Sequence, residues 1–152
     1  MRTAAFFDRD GTINIDKGYV YKVEDLEFVA GSPELIKYYN DRGNPVIVVT
    51  NQSGIARGFF NVELLNAFHQ EMNDRLDKIY HAHIDAFYYC PHLPEITGEC
   101  SCRKPKPGLF FKAAEEWNID LTQSVSCGDS KRDEEASSSA GIKKFMYIKD
   151  VI

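Results

Sequence analysis

Residues 45–50 read PVIVVT, an unbroken apolar run of strand length with no polar face. Such a strand has to be covered on both sides. Only helices packed above and below a sheet do that for a parallel strand, so this one segment restricts the chain to layered α/β folds. The rest of the sequence supplies the layers. Strands are expected at Ala4–Phe7, Pro45–Thr50, Ala86–Cys90, Ser124–Asp129 and Lys143–Ile148. Helical patterns fall between them. One opens with Ser32 as cap and Pro33 at the first helical position and runs to about Arg42, where Gly43 stops it. A second is capped by Asn61 and runs through Lys78, and two more cover Gly108–Trp117 and Lys131–Ala140. The order β-α-β-α-β-α-β-α-β predicts a doubly wound, mostly parallel five-stranded sheet of Rossmann-like type. Two stretches depart from the alternation: residues 13–30, and the Pro- and Cys-rich 91–107.

The chain of 152 residues suits one domain. Its net charge of -5 argues against nucleic acid or an anionic membrane as partner, because both demand a basic face. No apolar stretch approaches the ~20 residues of a membrane helix, and the N-terminus lacks the zones of a secretion signal. A cytoplasmic monomer is expected. The four cysteines are then better read as thiols or metal ligands than as disulfides.

In doubly wound sheets ligands bind beyond the carboxyl ends of the strands. The strand exits here carry Asp8 and Asp10, then Thr50-Asn51-Gln52-Ser53, then Cys90 leading to Arg103-Lys104, then Gly128-Asp129 with Asp133 beyond. In extended backbone, residues two apart share a face, so Asp8 and Asp10 are expected together with Arg9 turned away. Gly11 permits a tight turn after them. Convergence of Asp8, Asp10 and Asp129 would crowd like charges, which calls for a cation. Mg²⁺ accepts hard oxygen ligands together with a substrate phosphate. Thr50 and Lys104 suit phosphate oxygens, and a carboxylate nucleophile can take up a phosphoryl group. Taken singly, an Asp-x-Asp after a strand is a common turn device and a lone lysine a solvated charge. Their joint placement at successive strand exits favours phosphoryl chemistry.

A second constellation lies in CPHLPEITGECSC. Cys90, His92, Cys100 and Cys102 could close a four-ligand Zn²⁺ site with no open position, hence structural. The alternative is a set of unrelated thiols. A bond between Cys100 and Cys102 is disfavoured by their closeness. Cys127, inside a strand, is expected in the core, while His69, His81 and His83 show no ligand pattern and are expected at surface or interfacial positions.

Four ordered motifs, FFDRDGTIN, VVTNQSGIARG, CRKPKPG and GDSKRD, resemble the haloacid dehalogenase superfamily of phosphohydrolases. Within it the chain is similar to the cap-less branch that holds the heptose-bisphosphate and histidinol-phosphate phosphatases, from about Ala4 to Ile148. The resemblance implies a single haloacid-dehalogenase-like phosphatase domain over residues 1–152. It has a flap hairpin at 13–30, a zinc loop at 90–104 and no separate cap domain. It implies Asp8 as nucleophile and Mg²⁺ ligand, and Asp10 as acid and base with its main-chain carbonyl on the metal. Asp129 is implied as the remaining Mg²⁺ ligand, with Thr50 and Lys104 on the phosphoryl oxygens. Asn51, Gln52, Ser53 and Arg103 are implied beside them. Asp16, Lys17, Gly18 and Tyr19 would line the entrance. The substrate is then a small phosphorylated sugar.

TNQSGIARG resembles the heptose side of the branch, where the histidinol enzymes carry an acid at the position of Ser53. Arg57, Arg103 and Lys106 would add charge for a second phosphate. The expected reaction is removal of the 7-phosphate of a heptose 1,7-bisphosphate in surface-glycan precursor synthesis. A histidinol-phosphate or broader sugar-phosphate phosphatase is the alternative. Two departures stand out: Ser130 replaces an expected lysine, and relatives are expected to continue beyond Ile152. A phospho-acceptor signalling domain shares the topology but needs its acceptor after the third strand, where Tyr89-Cys90 stands. A zinc-centred interaction module would leave the three acids without a role.

Overall fold

A computed structural model describes all 152 residues. Strands β1 (Ala5–Phe7), β2 (Val46–Asn51), β3 (Ala86–Cys90), β4 (Val125–Gly128) and β5 (Lys144–Tyr147) form one sheet in the order β3-β2-β1-β4-β5. Every pairing is parallel, so the expectation of a mostly parallel sheet becomes a wholly parallel one. The chain moves outward from β1 through β2 to β3, then crosses to the other side of β1 for β4. The crevice beyond the carboxyl ends of β1 and β4 is thus the topological switch point.

Alternate strand residues face opposite layers. Ala5, Phe7, Val46 and Val48 pack under helices α1 (Ser32–Asp41) and α2 (Val62–Arg75), against Ile36, Phe68 and Met72. Ala4, Phe6, Ile47 and Val49 face helices α4 (Gly108–Trp117) and α5 (Lys131–Ala140), against Leu109, Phe110 and Ala136. The central strands are therefore apolar on both faces because both faces are covered. No helix is long and apolar enough to cross a membrane.

Several boundaries differ from the sequence reading. The cap of α1 is Gly31, left-handed at φ 90°, and Ser32 is the first helical residue. Its hydroxyl is spent instead on the Ile13 carbonyl at 3.0 Å, tying α1 to the flap. Helix α2 gives way at Leu76–Tyr80 to a π-type turn that buries Leu76. A short helix α3 (Pro94–Thr97) lies within 91–107. Residues 13–30 hold a hairpin-like base rather than regular strands. The Ile15 amide donates to Glu27 and the Val29 amide to Ile13, both at 2.8 Å, around a single Asn14–Phe28 bridge. No separate cap domain covers the carboxyl end of the sheet.

Candidate active site

Asp8 is the first residue past β1, and its amide donates to the Cys127 carbonyl of β4 at 2.9 Å. The last ladder bond thus sets the nucleophile candidate at the switch point. Asp129 follows β4 on the other side. Gly11, at φ 84°, brings the turn after β1 so close to Asp129 that a Cβ there would overlap its carboxylate. A glycine is required for both reasons.

Lys104 reaches the site from the loop before α4. Its Nζ donates to Asp8 Oδ1 at 2.8 Å, Asp133 Oδ1 at 2.6 Å and the Val49 carbonyl at 2.9 Å, almost wholly out of solvent. Asn51 holds the lysine's backbone from both sides, accepting from the Lys104 amide at 3.0 Å and donating to its carbonyl at 3.1 Å. Gln52 is buried and donates to Asp10 Oδ2 at 3.0 Å and Thr50 Oγ1 at 3.1 Å. Asn51 and Gln52, expected beside the phosphoryl group, line the cavity and also spend these amide groups on positioning Lys104 and Asp10.

Asp133, placed beyond the fourth strand exit but given no role by the sequence, is central to the site. One oxygen takes Lys104; the other accepts from the Asp129 and Ser130 amides at 3.1 and 3.2 Å and from the Ser130 hydroxyl at 3.0 Å. Ser130 is the cap of α5 and Asp133 completes a reciprocal capping box. The sequence signal was the S-x-x-D pattern itself, which indicates a helix start and says nothing about a lysine from another loop. Ser130, where a lysine was expected, is thereby accounted for as a cap.

Asp8, Asp129 and Asp133 each bring a carboxylate oxygen within 4.8 Å of the others. Burial, opposed by Lys104 and reinforced by the charges of Asp133 and Asp10, raises the pKa of Asp8. Burial and then the charge of Asp8 push Asp129 up to about 8. Burial also opposes the charge of Asp133, but the Lys104 ammonium and the Asp129 and Ser130 donors outweigh it and hold its pKa low. Lys104 is kept charged by Asp8 and Asp133 against its own desolvation. A site that forces two carboxylates toward protonation is one that a divalent cation relieves. With both oxygens of Asp133 engaged and Asp8 Oδ1 taken by Lys104, the second Asp8 oxygen and the Asp129 carboxylate remain to ligate. The Asp10 carboxylate is not in this trio. Arg9, Asn14 and Gln52 hold it beside them, yet it lines the same cavity as Asp8, with Arg9 turned away from that cavity as the two-residue alternation predicts.

These groups floor a cavity of about 380 Å³. Asp16, Gly18, Tyr19, Thr50, Ser53 and Arg103 line it, together with Arg57 and Arg132. Lys17 does not; it is exposed and pairs with Glu27 at 3.2 Å. Lys106 is also outside, held by Glu99 at 2.9 Å and the Cys100 carbonyl at 2.6 Å. Arg132, unremarked in the sequence, takes its place on the rim. Tyr19, which lines the cavity, meets Phe59 edge to face with centroids 4.8 Å apart.

Beside the cavity, one ligand atom from each of Cys90, His92, Cys100 and Cys102 lies within 4.8 Å of the others. The Cys90 and Cys102 sulfurs are 2.9 Å apart, and His92 Nδ1 lies 3.3 Å from Cys102 Sγ. Burial opposes a charged Cys100, but the Arg103 and Cys102 amides bring its thiol down to about 6. Burial raises the Cys90 and Cys102 thiols instead. Three sulfurs and an imidazole nitrogen brought this close together are a donor set that fits Zn²⁺. Cys127 is buried, as expected. His81 and His83 are exposed, but His69 is buried and stacked on Phe87, contrary to the surface or interfacial position expected of it.

The model of the polynucleotide kinase 3 phosphatase family matches residues 3–146. The chain is similar to the D-glycero-beta-D-manno-heptose-1,7-bisphosphate 7-phosphatase of Haemophilus ducreyi, 43% identical over 152 residues, 97% of this chain and 84% of the relative. It is 40% identical over 159 residues to the D-glycero-alpha-D-manno-heptose-1,7-bisphosphate 7-phosphatase of Campylobacter jejuni, covering 99% of this chain and 85% of that one. Among solved structures, the D,D-heptose 1,7-bisphosphate phosphatase of B. bronchiseptica, complexed with magnesium and phosphate, superposes with a TM-score of 0.85. That match has 34% identity over 95% of this chain and 79% of the other.

Proposed function

The chain belongs to the polynucleotide kinase 3 phosphatase family of the haloacid dehalogenase superfamily, and from that premise we propose that it removes the 7-phosphate of D-glycero-D-manno-heptose 1,7-bisphosphate. The observation that carries this reading is Asp8 paired to a buried Lys104 at the switch point, in a chain similar to heptose bisphosphatases along nearly its full length. The family model's description names a polynucleotide enzyme, but a net charge of -5 does not suit a polyanionic polymer.

In this reading Asp8 attacks the phosphorus in line. Its second oxygen and that of Asp129, with the Asp10 main-chain carbonyl, would hold Mg²⁺. When bound, that ion neutralises the acids and the phosphoryl oxygens. Lys104 and Thr50 balance charge on the transferring group. Asp10 delivers a proton to the departing alkoxide and later withdraws one from the water that releases phosphate from Asp8. Asp133 keeps Lys104 charged and aimed. Arg57, Arg103 and Arg132 on the rim receive the distal phosphate. We read Cys90, His92, Cys100 and Cys102 as a structural Zn²⁺ site whose loop delivers Arg103 and Lys104.

The test is phosphate release, with and without Mg²⁺, from both anomers of the heptose 1,7-bisphosphate, from histidinol phosphate and from sugar monophosphates. The expected result is Mg²⁺-dependent turnover with one heptose anomer preferred over all monophosphates. Equal rates across the panel would leave a general sugar phosphatase, and preference for histidinol phosphate would overturn the substrate assignment.

A further inference from the structure

Arg9 sits between Asp8 and Asp10 in sequence, yet its side chain reaches neither solvent nor the cavity. It is fully buried. Its Nε and Nη2 both donate to Asp10 Oδ1, at 3.2 and 2.8 Å. Nη2 also donates to the Val20 carbonyl of the flap at 2.7 Å. Nη1 lies 3.2 Å from His69 Nε2 on α2, and the Phe68 ring lies 4.7 Å from the guanidinium carbon. His69 is stacked on Phe87 of β3, centroids 4.1 Å apart and planes 10° from parallel.

A guanidinium has donors only, so the His69 nitrogen facing it must accept. The ring is neutral, since burial and then the Arg9 charge lower its pKa to about 3. A buried cation is costly unless its hydrogen bonds are met. Here they are met by three elements at once: α2, the flap and the Asp10 turn. A purely structural arginine needs no carboxylate of the reaction centre. This one places two donors on a single Asp10 oxygen while Gln52 takes the other at 3.0 Å, leaving that carboxylate one orientation.

We propose that Arg9 and His69 are positioning residues: together they aim the Asp10 carboxylate at the leaving oxygen and, through the Val20 carbonyl, make that aim depend on a seated flap. The inference rests on the reading of Asp10 as acid and base. In the step concerned, the ester P–O bond breaks as the bond from phosphorus to Asp8 forms, and the Asp10 proton passes to the departing alkoxide.

A substrate whose leaving group needs no proton isolates this step. Asp10→Asn, His69→Phe, His69→Gln and Arg9→Lys are compared by kcat/KM, which reports the first phosphoryl transfer, on heptose 1,7-bisphosphate and on p-nitrophenyl phosphate. His69→Phe keeps the stack on Phe87 but removes the acceptor. It is expected to lower kcat/KM for the heptose ester about 10- to 100-fold, the scale of a small misplacement. The nitrophenyl ester should stay within about twofold, reflecting transition-state stabilisation lost only where a proton must move. His69→Gln, which restores an acceptor, should recover most of the loss. Arg9→Lys, which keeps the charge but not the fork, should repeat the pattern if His69→Phe does not fold. Asp10→Asn separates the two readings. If it also spares the heptose ester, or hits both esters alike, the acid assignment fails. If it is selective and the His69 and Arg9 variants are not, the positioning inference alone is overturned.

Discussion

The floor and the rim of the cavity are built on opposite principles. On the floor the polar groups that matter are buried and tied to one another: Lys104 has three partners, and both oxygens of Asp133 are engaged. On the rim, Arg57 and Arg132 are exposed, and the Arg57 guanidinium lies 5.9 Å from the Tyr19 ring, which also meets Phe59 edge to face. A preorganised floor keeps charge where a transition state needs it, without reorganisation. An unsatisfied rim keeps its donors for whatever arrives. The difference teaches that chemistry and choice of ester are separable here, and substitutions should show it.

The largest effect is expected on the floor. Asp8→Asn should remove turnover by ~10⁴-fold or more, while the metal-free protein melts no lower, because the change deletes one of the crowded acids. Kinetics and a thermal melt check both halves; substantial turnover would break the assignment of the nucleophile. Next comes the loop joining floor to rim. Cys102→Ser should lower zinc content, the melting temperature and kcat together, with activity down ~10- to 100-fold, because the cluster orders the segment that delivers Lys104. Elemental analysis beside kinetics tests it. Full activity without the metal would uncouple the loop from the floor.

A rim substitution should act differently. Arg132→Ala should raise KM for the bisphosphate about tenfold, the scale of one lost charge-assisted hydrogen bond. It should leave kcat and monophosphate turnover nearly unchanged. A fall in kcat instead would place Arg132 with the chemistry and erase the contrast. The smallest effect is a slope in stability. Asp129 is raised from the ordinary 3.8 to about 8 by burial and then by Asp8. The folded, metal-free protein therefore holds this proton better than the unfolded chain does. Its contribution is fully present below about 3.8 and is lost as pH rises through about 8. Melts in chelator should decline across that window, and saturating Mg²⁺, which binds the deprotonated form, should flatten the decline.

Much of this arrangement could be read from the chain. Strand β3 and helices α4 and α5 match their expected limits, because their apolar patterns and caps are local signals. Asp8, Asp129, Thr50 and Lys104 were indicated by their places at strand exits. The misses share one cause. Asp133 is placed only beyond the fourth strand exit, His69 is expected at a surface or interfacial position, and Arg132 is not singled out. Arg9 is turned away from the cavity as expected, but its partners are not foreseen. Each acquires its part only through a partner far off in sequence: Asp133 through Lys104, Arg9 through Val20 and His69, Arg132 through the cavity formed opposite it. Lys17 and Lys106 fail in the reverse direction, drawn out of the mouth by Glu27 and Glu99.

By itself the sequence determined the sheet, the layers on both its faces, and which acids and thiols stand where strands end, because periodicity and punctuation act over a few residues. The tertiary structure alone decided which oxygens of those acids are already engaged, which cations remain unpaired and which histidine is buried. Desolvation and hydrogen-bond satisfaction depend on what packs against a group, and that is settled only when segments far apart in the chain meet.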